Sequence, residues 1–243
     1  MIVAQAEAGG LFETFVRREA ARESTLAEVL EELGIAIDGG KDSLSLLAIL
    51  RHLQTYAPVR FDLGVITVDP EVEGFDPAPL KAYYQELGVP YVYAQQPIME
   101  EAKTRLRGDS FCAYCSRMKR GIMYTQCRQR GYNVLALAQH LDDLAESLLM
   151  SMFHAGQLRT MKAHYRIDAG DLRVIRPLVY ARERQLHDYA RAAELPVIRD
   201  NCPACFSMPT QRAHMKTLLA SEEESNHQLF RSLKTTLLPL MKD

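Results

Sequence analysis

The stretch Ile35-Ala-Ile-Asp-Gly-Gly-Lys-Asp-Ser-Leu-Ser-Leu-Leu47 decides the fold. A short apolar run, Ile35 to Ile37, stops at two glycines, and a leucine-rich helical pattern starts after Ser43. Strand, tight loop, helix is the order this spells, because Gly permits the turn and a helix opening at once leaves backbone N–H groups free at its first turn. Such N–H groups converge on anions. "GGKDS" adds a cation at Lys41, a hydroxyl at Ser43 and a carboxylate at Asp42 that can hold Mg²⁺ beside phosphates. The string is not a Walker loop, which requires Gly, four residues, then Gly-Lys-Ser/Thr.

Outward from this unit the texture repeats. Apolar runs of strand size at Leu63–Val68, Tyr91–Ala94 and Val134–Ala138 alternate with helical patterns at Leu44–Leu53, Leu80–Leu87 and Leu144–Phe153. Alternation of this kind predicts an α/β fold with a mostly parallel sheet covered by helices. Ligands in such sheets sit beyond the carboxyl ends of strands, where strand order reverses. The loop Asp38–Ser43 and the segment "QHLDD", Gln139 to Asp143, both leave strands and are expected to face one cleft. Residues 1–33 read as a helical lead-in, 34–200 as the α/β domain with a first CxxC, and 201–243 as a second CxxC followed by a helical tail.

With 243 residues the chain can bury a sizeable core. Its 47% apolar and 25% charged residues suit a globular protein, and no apolar run approaches the roughly 20 residues of a membrane span. The first ten residues lack a basic start and a long apolar core, so a cytoplasmic location and no membrane partner are expected. Net charge is −2, which gives no global case for nucleic-acid binding. Charge distribution differs: Lys103, Arg105, Arg107, Arg117, Lys119, Arg120, Arg128 and Arg130 stand against one acid, Asp109. This basic run surrounds a pair of cysteines.

Cys112 and Cys115 form one CxxC, and Cys202 and Cys205 another; Cys127 reads as a small buried hydrophobe. Outside an oxidising compartment, paired CxxC elements point to metal rather than disulfides. The gap from Cys115 to Cys202 is far wider than the roughly 15–20 residues of a compact zinc ribbon. Tertiary folding must close the site, and the spacing leaves tetrahedral zinc and an iron–sulfur cluster both open.

Together "GGKDS", "CAYCSRMKRGIMY", "LAQHLDD", "VIRPLVYARE" and "CPACFSMPTQR", in this order, resemble the TtcA-like tRNA 2-thiocytidine synthetase family of the TtcA/TtuA group, within the PP-loop ATP-pyrophosphatase superfamily. The resemblance covers about residues 34–212. It implies a Rossmann-like, HUP-type fold and a 4Fe-4S cluster held by Cys112, Cys115 and Cys202, with Cys205 not required and one iron open to sulfide. It implies ATP at Gly39, Gly40, Lys41, Asp42 and Ser43, with His140 and Asp142 closing the nucleotide site and Mg²⁺ offsetting phosphate charge. Asp42, Asp143 and Lys119 are then the catalytic set, and Lys119 with Arg120 matches a basic pair that meets phosphate. The C2 carbonyl of a tRNA cytidine would be adenylated, and sulfur from a sulfide or persulfide donor would displace AMP. Family analogy adds a homodimer.

Two positions depart from the pattern: Gln139 precedes His140 where the family has a His-His or His-Asn pair, and the other lies in the phosphate loop. Asp38 stands where the family has serine, and a carboxylate there places negative charge beside pyrophosphate. Two other readings follow: an ATP-independent 4Fe-4S desulfidase acting on a thiolated nucleobase, and a non-enzymatic RNA-binding module stapled by zinc.

Overall fold

The structure is a computed structural model and describes residues 32–36, 40–57, 60–106, 111–198 and 210–242. Six strands form one sheet: β1 Glu32–Ala36, β2 Asp62–Asp69, β3 Tyr91–Gln95, β4 Val134–Ala136, β5 His164–Arg166 and β6 Arg173–Ile175. Eight helices accompany them among the described residues: α1 Lys41–Gln54, α2 Ala78–Glu86, α3 Ile98–Arg105, α4 Phe111–Gln129, α5 Leu141–Ala155, α6 Glu183–Ala192, α7 Gln211–Ser225 and α8 Leu229–Leu240.

Strand order is β3-β2-β1-β4-β6-β5, parallel except for β5, which runs antiparallel to β6. The expected α/β class is what forms. From β1 the chain moves through α1 to β2 on one side, and from β4 it moves through α5 towards β6 on the other. Order therefore reverses between β1 and β4, whose carboxyl ends lie side by side with Ile35 opposite Ala136. That is the crevice position of doubly wound sheets.

Alternation along the strands divides the core into two layers. Leu63, Val65, Val134, Ala136 and Ile175 pack under α1, α2 and α5 to α8. Ile66, Val68, Leu135, Leu137 and Val174 face the other way, against Ile98 and Ala102 of α3 and Tyr114, Met123 and Cys127 of α4. In α1, Leu44, Leu46 and Leu47 are all fully buried. At roughly 1.5–3 kcal/mol for each side chain removed from water, they fix this helix, and so the loop before it, onto the sheet. Gly64 of β2 serves a different purpose: a Cβ there would lie 2.1 Å from the Tyr132 hydroxyl, so only glycine lets that ring close on the strand. Among the described residues no helix is long and apolar enough to cross a membrane.

Candidate active site at the sheet's switch point

α1 begins directly at the phosphate-loop motif. Gly40 is its N-cap, with no side chain capping the first turn. Its backbone, φ −74° and ψ 162°, is one any residue can adopt, and a Cβ on it would meet no heavy atom within 4 Å. Neither strain nor packing calls for glycine here; open room beside uncapped N–H groups does. Gly39 and Asp38 lie outside the described residues.

The second loop arrives from β4. His140 caps α5: its Nδ1 accepts from the Asp143 N–H at 3.4 Å, while Asp143 Oδ2 accepts from the His140 N–H at 3.0 Å. Because Nδ1 accepts, the neutral ring carries its proton on Nε2, which lies 3.8 Å from Asp42 Oδ2. The two loops thus meet, and Asp42 sits between Lys41 and His140.

Asp42 is held in tension. Burial raises its pKa, and the charges of His140 and Lys41 oppose this only in part. Its Oδ1 is buried and accepts no hydrogen bond among the described residues. An orphaned carboxylate oxygen beside Lys41 and His140 fits a divalent cation such as Mg²⁺, a hard ion that takes oxygen ligands.

Lys41 bonds Asp42 Oδ2 and Glu183 Oε1, each at 3.1 Å. Burial disfavours its charge, yet Asp42 and Glu183 outweigh that and leave its pKa raised. Glu183, first residue of α6, also meets Lys216 of α7, 2.7 Å from its Oε2. For Glu183 burial acts upward, but bonds from Lys216 and Lys41 prevail and bring its pKa down to about 2.

The structure gives the two acids of "LDD" different partners. Asp142 accepts from Arg182 Nε at 3.1 Å and from the Glu183 N–H at 2.8 Å, tying α6 to α5. Asp143, besides its capping bond, accepts from Arg212 Nη2 at 3.2 Å. Arg212 Nε also donates to Glu146 at 2.7 Å. Burial opposes the Arg212 charge, but Asp143, Glu146 and the nearby Cys112 raise its pKa.

Cys112 and Cys115 are half-buried thiols on α4, which packs on the opposite face of the sheet from α1. With Lys119 they fall at i, i+3 and i+7, one face of the helix. Two thiols at this spacing, outside any disulfide, suit a soft-metal or iron–sulfur site. Cys202 and Cys205 lie outside the described residues, and so does any ligand set that includes them. Cys127 is fully buried, and burial pushes its thiol up to about 12, which keeps it protonated. Arg128 of the basic run forms a two-pronged pair with Asp171, at 2.5 and 3.0 Å.

Sequence reasoning did not single out Arg176, Arg182, Glu183 or Arg212 for the site. The signal was present: the first three lie within the "VIRPLVYARE" motif, and Arg212 closes "CPACFSMPTQR". Motif membership did not say what each side chain touches.

Fold and site together define a nucleotide-binding α/β domain of the phosphate-loop type, with a cysteine-bearing helix across the sheet from the loop. Comparison with known proteins gives the same class and refines it. A family model for the PP-loop domain matches residues 14–221. Among curated relatives, the tRNA-cytidine(32) 2-sulfurtransferase of Geobacter sulfurreducens is 38% identical over 208 residues, 85% of this chain and 81% of the relative. That of Geobacter metallireducens is 39% identical over 219 residues, 90% and 85% of the two chains. The U34-tRNA thiolase NcsA from Methanococcus maripaludis, solved with its [4Fe-4S] cluster, superposes with a TM-score of 0.72 at 20% identity, covering 95% of this chain and 78% of that one. The NH3-dependent NAD synthetase of Campylobacter jejuni shares the fold at TM-score 0.51 and 12% identity, covering 98% and 93%. The chain belongs to the PP-loop family, in its tRNA-cytidine(32) 2-sulfurtransferase group.

Proposed function

We propose that this protein is an ATP-using sulfurtransferase that replaces the C2 oxygen of a tRNA cytidine with sulfur, at a site formed where the phosphate loop and the cysteine helix converge. One observation carries the reading: buried Asp42 Oδ1, in the first turn of the phosphate-loop helix beside Lys41 and His140, has no hydrogen-bond partner among the described residues, so the loop keeps a carboxylate oxygen in reserve for a cation next to phosphates. The names of the curated relatives support the RNA substrate.

In this reading Gly39, Gly40, Lys41 and Ser43 hold ATP phosphates, and Asp42 offers its unpartnered oxygen to Mg²⁺. The cytidine carbonyl oxygen attacks the α-phosphorus and pyrophosphate leaves, which converts a poor leaving group into AMP. Sulfide, free or released from a persulfide donor by a thiol reductant, attacks C2 as HS⁻, gives up its proton and forms the new bond as the C–O bond to AMP breaks. Lys41 offsets charge on the departing pyrophosphate, and Lys119, facing the same way as the cysteines, offsets charge on the adenylate. His140 and Asp143 fix the loop through their mutual cap, and Asp142 anchors α6 so that Glu183 reaches Lys41. Cys112, Cys115 and Cys202 would hold the 4Fe-4S cluster, which when bound supplies an iron with one open position for a sulfur anion.

Anaerobic iron and sulfide analysis, followed by nucleoside mass spectrometry of tRNA incubated with ATP and sulfide, tests this. About four iron and four sulfide per chain and ATP-dependent 2-thiocytidine are expected. Zinc in place of iron, or thiolation indifferent to ATP, would refute it. Asp38 favours a second reading, an ATP-independent desulfidase, which requires that calorimetry detect ATP binding only after Asp38→Ser.

A further inference from the structure

Gln139 lies three residues beyond the end of β4 and directly before His140, where the family has histidine. Arg176, immediately after β6 and 4% exposed, donates from Nε to Gln139 Oε1 at 2.9 Å. Its Nη1 donates to the Lys162 carbonyl at 2.6 Å, and its guanidinium lies 5.6 Å from the centre of the Tyr165 ring. Two bonds and a ring hold the guanidinium in place.

That anchoring settles the Gln139 amide. A guanidinium only donates, so the amide oxygen must face Arg176 and Nε2 must face away. Among the described residues nothing accepts from that Nε2. Gln139 is half-buried and its Nε2 keeps contact with solvent, so two N–H groups stand ready for an acceptor. An unanchored glutamine would turn either end outward; buried Arg176 removes the choice.

Position narrows the acceptor. Lys41 and the α1 turn serve phosphates on the face of the sheet that Val134 and Ala136 share. Gln139 continues the alternation of Leu135 and Leu137, which face α4, and Tyr165 beside Arg176 belongs to the same layer. Because α4 ends at Gln129, shortly before β4 begins, it runs against the strands, and its cysteine end points back to the carboxyl edge. The Gln139 donors therefore border the crevice between the nucleotide loop and the helix of Cys112 and Cys115, which is where the sulfurtransferase reading puts the base. Cytosine has an acceptor, N3, next to its C2. Uracil carries N3–H there and would set donor against donor.

We propose that Gln139, oriented by Arg176, selects cytidine over uridine by donating to N3 of the base that receives sulfur. The proposal rests on the RNA reading above and names its base-recognising residue. Gln139 touches the base; Arg176 is a positioning residue.

The test uses two short RNA stem-loops, identical except for C or U at the target position. They compete for the cluster-loaded protein with ATP and sulfide, and both 2-thionucleosides are counted by mass spectrometry; the ratio of dissociation constants for the two RNAs is measured without sulfide. Wild type should favour cytidine about tenfold or more, since the wrong base leaves buried donors unpaired. Gln139→Leu should bring both ratios within about threefold of one. Gln139→Glu keeps the bond to Arg176 but presents an acceptor, and should favour uridine. Arg176→Met should lower the preference although its side chain meets no RNA; should it fail to fold, the two Gln139 variants decide. ATP affinity by calorimetry should stay within about twofold in the Gln139 variants. A cytidine preference kept by Gln139→Leu or Gln139→Glu, or an equal loss of both RNAs, overturns the proposal. If wild type thiolates both bases alike, the proposal falls while the sulfurtransferase reading stands; if it binds and thiolates neither, that reading falls as well.

Discussion

Replacing Glu183 with glutamine should destabilise the fold at neutral pH, and the loss should disappear in acid. The side chain lies between Lys41 and Lys216, whose bonds bring its pKa from an ordinary 4.5 to about 2. That fall corresponds to about 3 kcal/mol at roughly 1.4 kcal/mol per tenfold. Glu183 is 26% exposed, so solvent screening reduces the expected net cost to about 2 kcal/mol. For a chain of this length the melting temperature should drop by about 4–8 °C. A depressed carboxylate stabilises the fold above its unfolded pKa and ceases to do so as pH falls through the folded one. The gap between wild type and Glu183→Gln, measured by thermal melts from pH 7 downwards, should therefore hold to about pH 4.5 and close towards pH 2. A variant that melts with wild type at pH 7, or a gap of equal size at pH 3, would refute the reasoning.

Asp42→Asn should cut ATP affinity at least tenfold in the presence of Mg²⁺ while leaving the melting temperature unchanged or higher, since burial raises the Asp42 pKa and so disfavours its charge in the empty site; calorimetry with and without Mg²⁺ checks this. Gly64→Ala should cost about 1–3 kcal/mol in urea denaturation, because the new Cβ collides with the Tyr132 ring, and Gly64→Ala with Tyr132→Leu should recover part of it. In anaerobic preparations Cys112→Ser and Cys115→Ser should lose iron, whereas Cys127→Ala should retain it, because the Cys127 thiol is held up near 12 inside the core.

Much of the sheet was legible because buried parallel strands read as short apolar runs and the helices between them as leucine periodicity. The strand expected from Ile35 starts earlier, at Glu32, since its pairing with β2 extends beyond the apolar residues. β5 left no trace: "HYR" is three polar and aromatic residues at a sheet edge, recruited by pairing with β6 rather than by its own pattern. The tail expected as one helical stretch forms two helices, α7 and α8, broken at Asn226. At the site, residue types announced the phosphate loop, because glycine, lysine and aspartate have few other reasons to stand together before a helix. The ion pairs of Glu183 and Arg212 could not be read that way. They depend on α6 and α7 docking beside α5, and local sequence does not encode which side chains such docking brings together.

The Lys41–Glu183–Lys216 chain gives the crevice a form of internal communication. In the proposed reaction a triphosphate arriving at Lys41 would compete with Glu183 for the same ammonium, and any share it took would leave Glu183 leaning more heavily on Lys216. Lys216 belongs to α7, which also carries Arg212 and directly succeeds the second cysteine pair in the chain. Nucleotide loading would thereby be registered, through one carboxylate changing allegiance, at the helix that also presents Arg212 to Asp143 and Glu146.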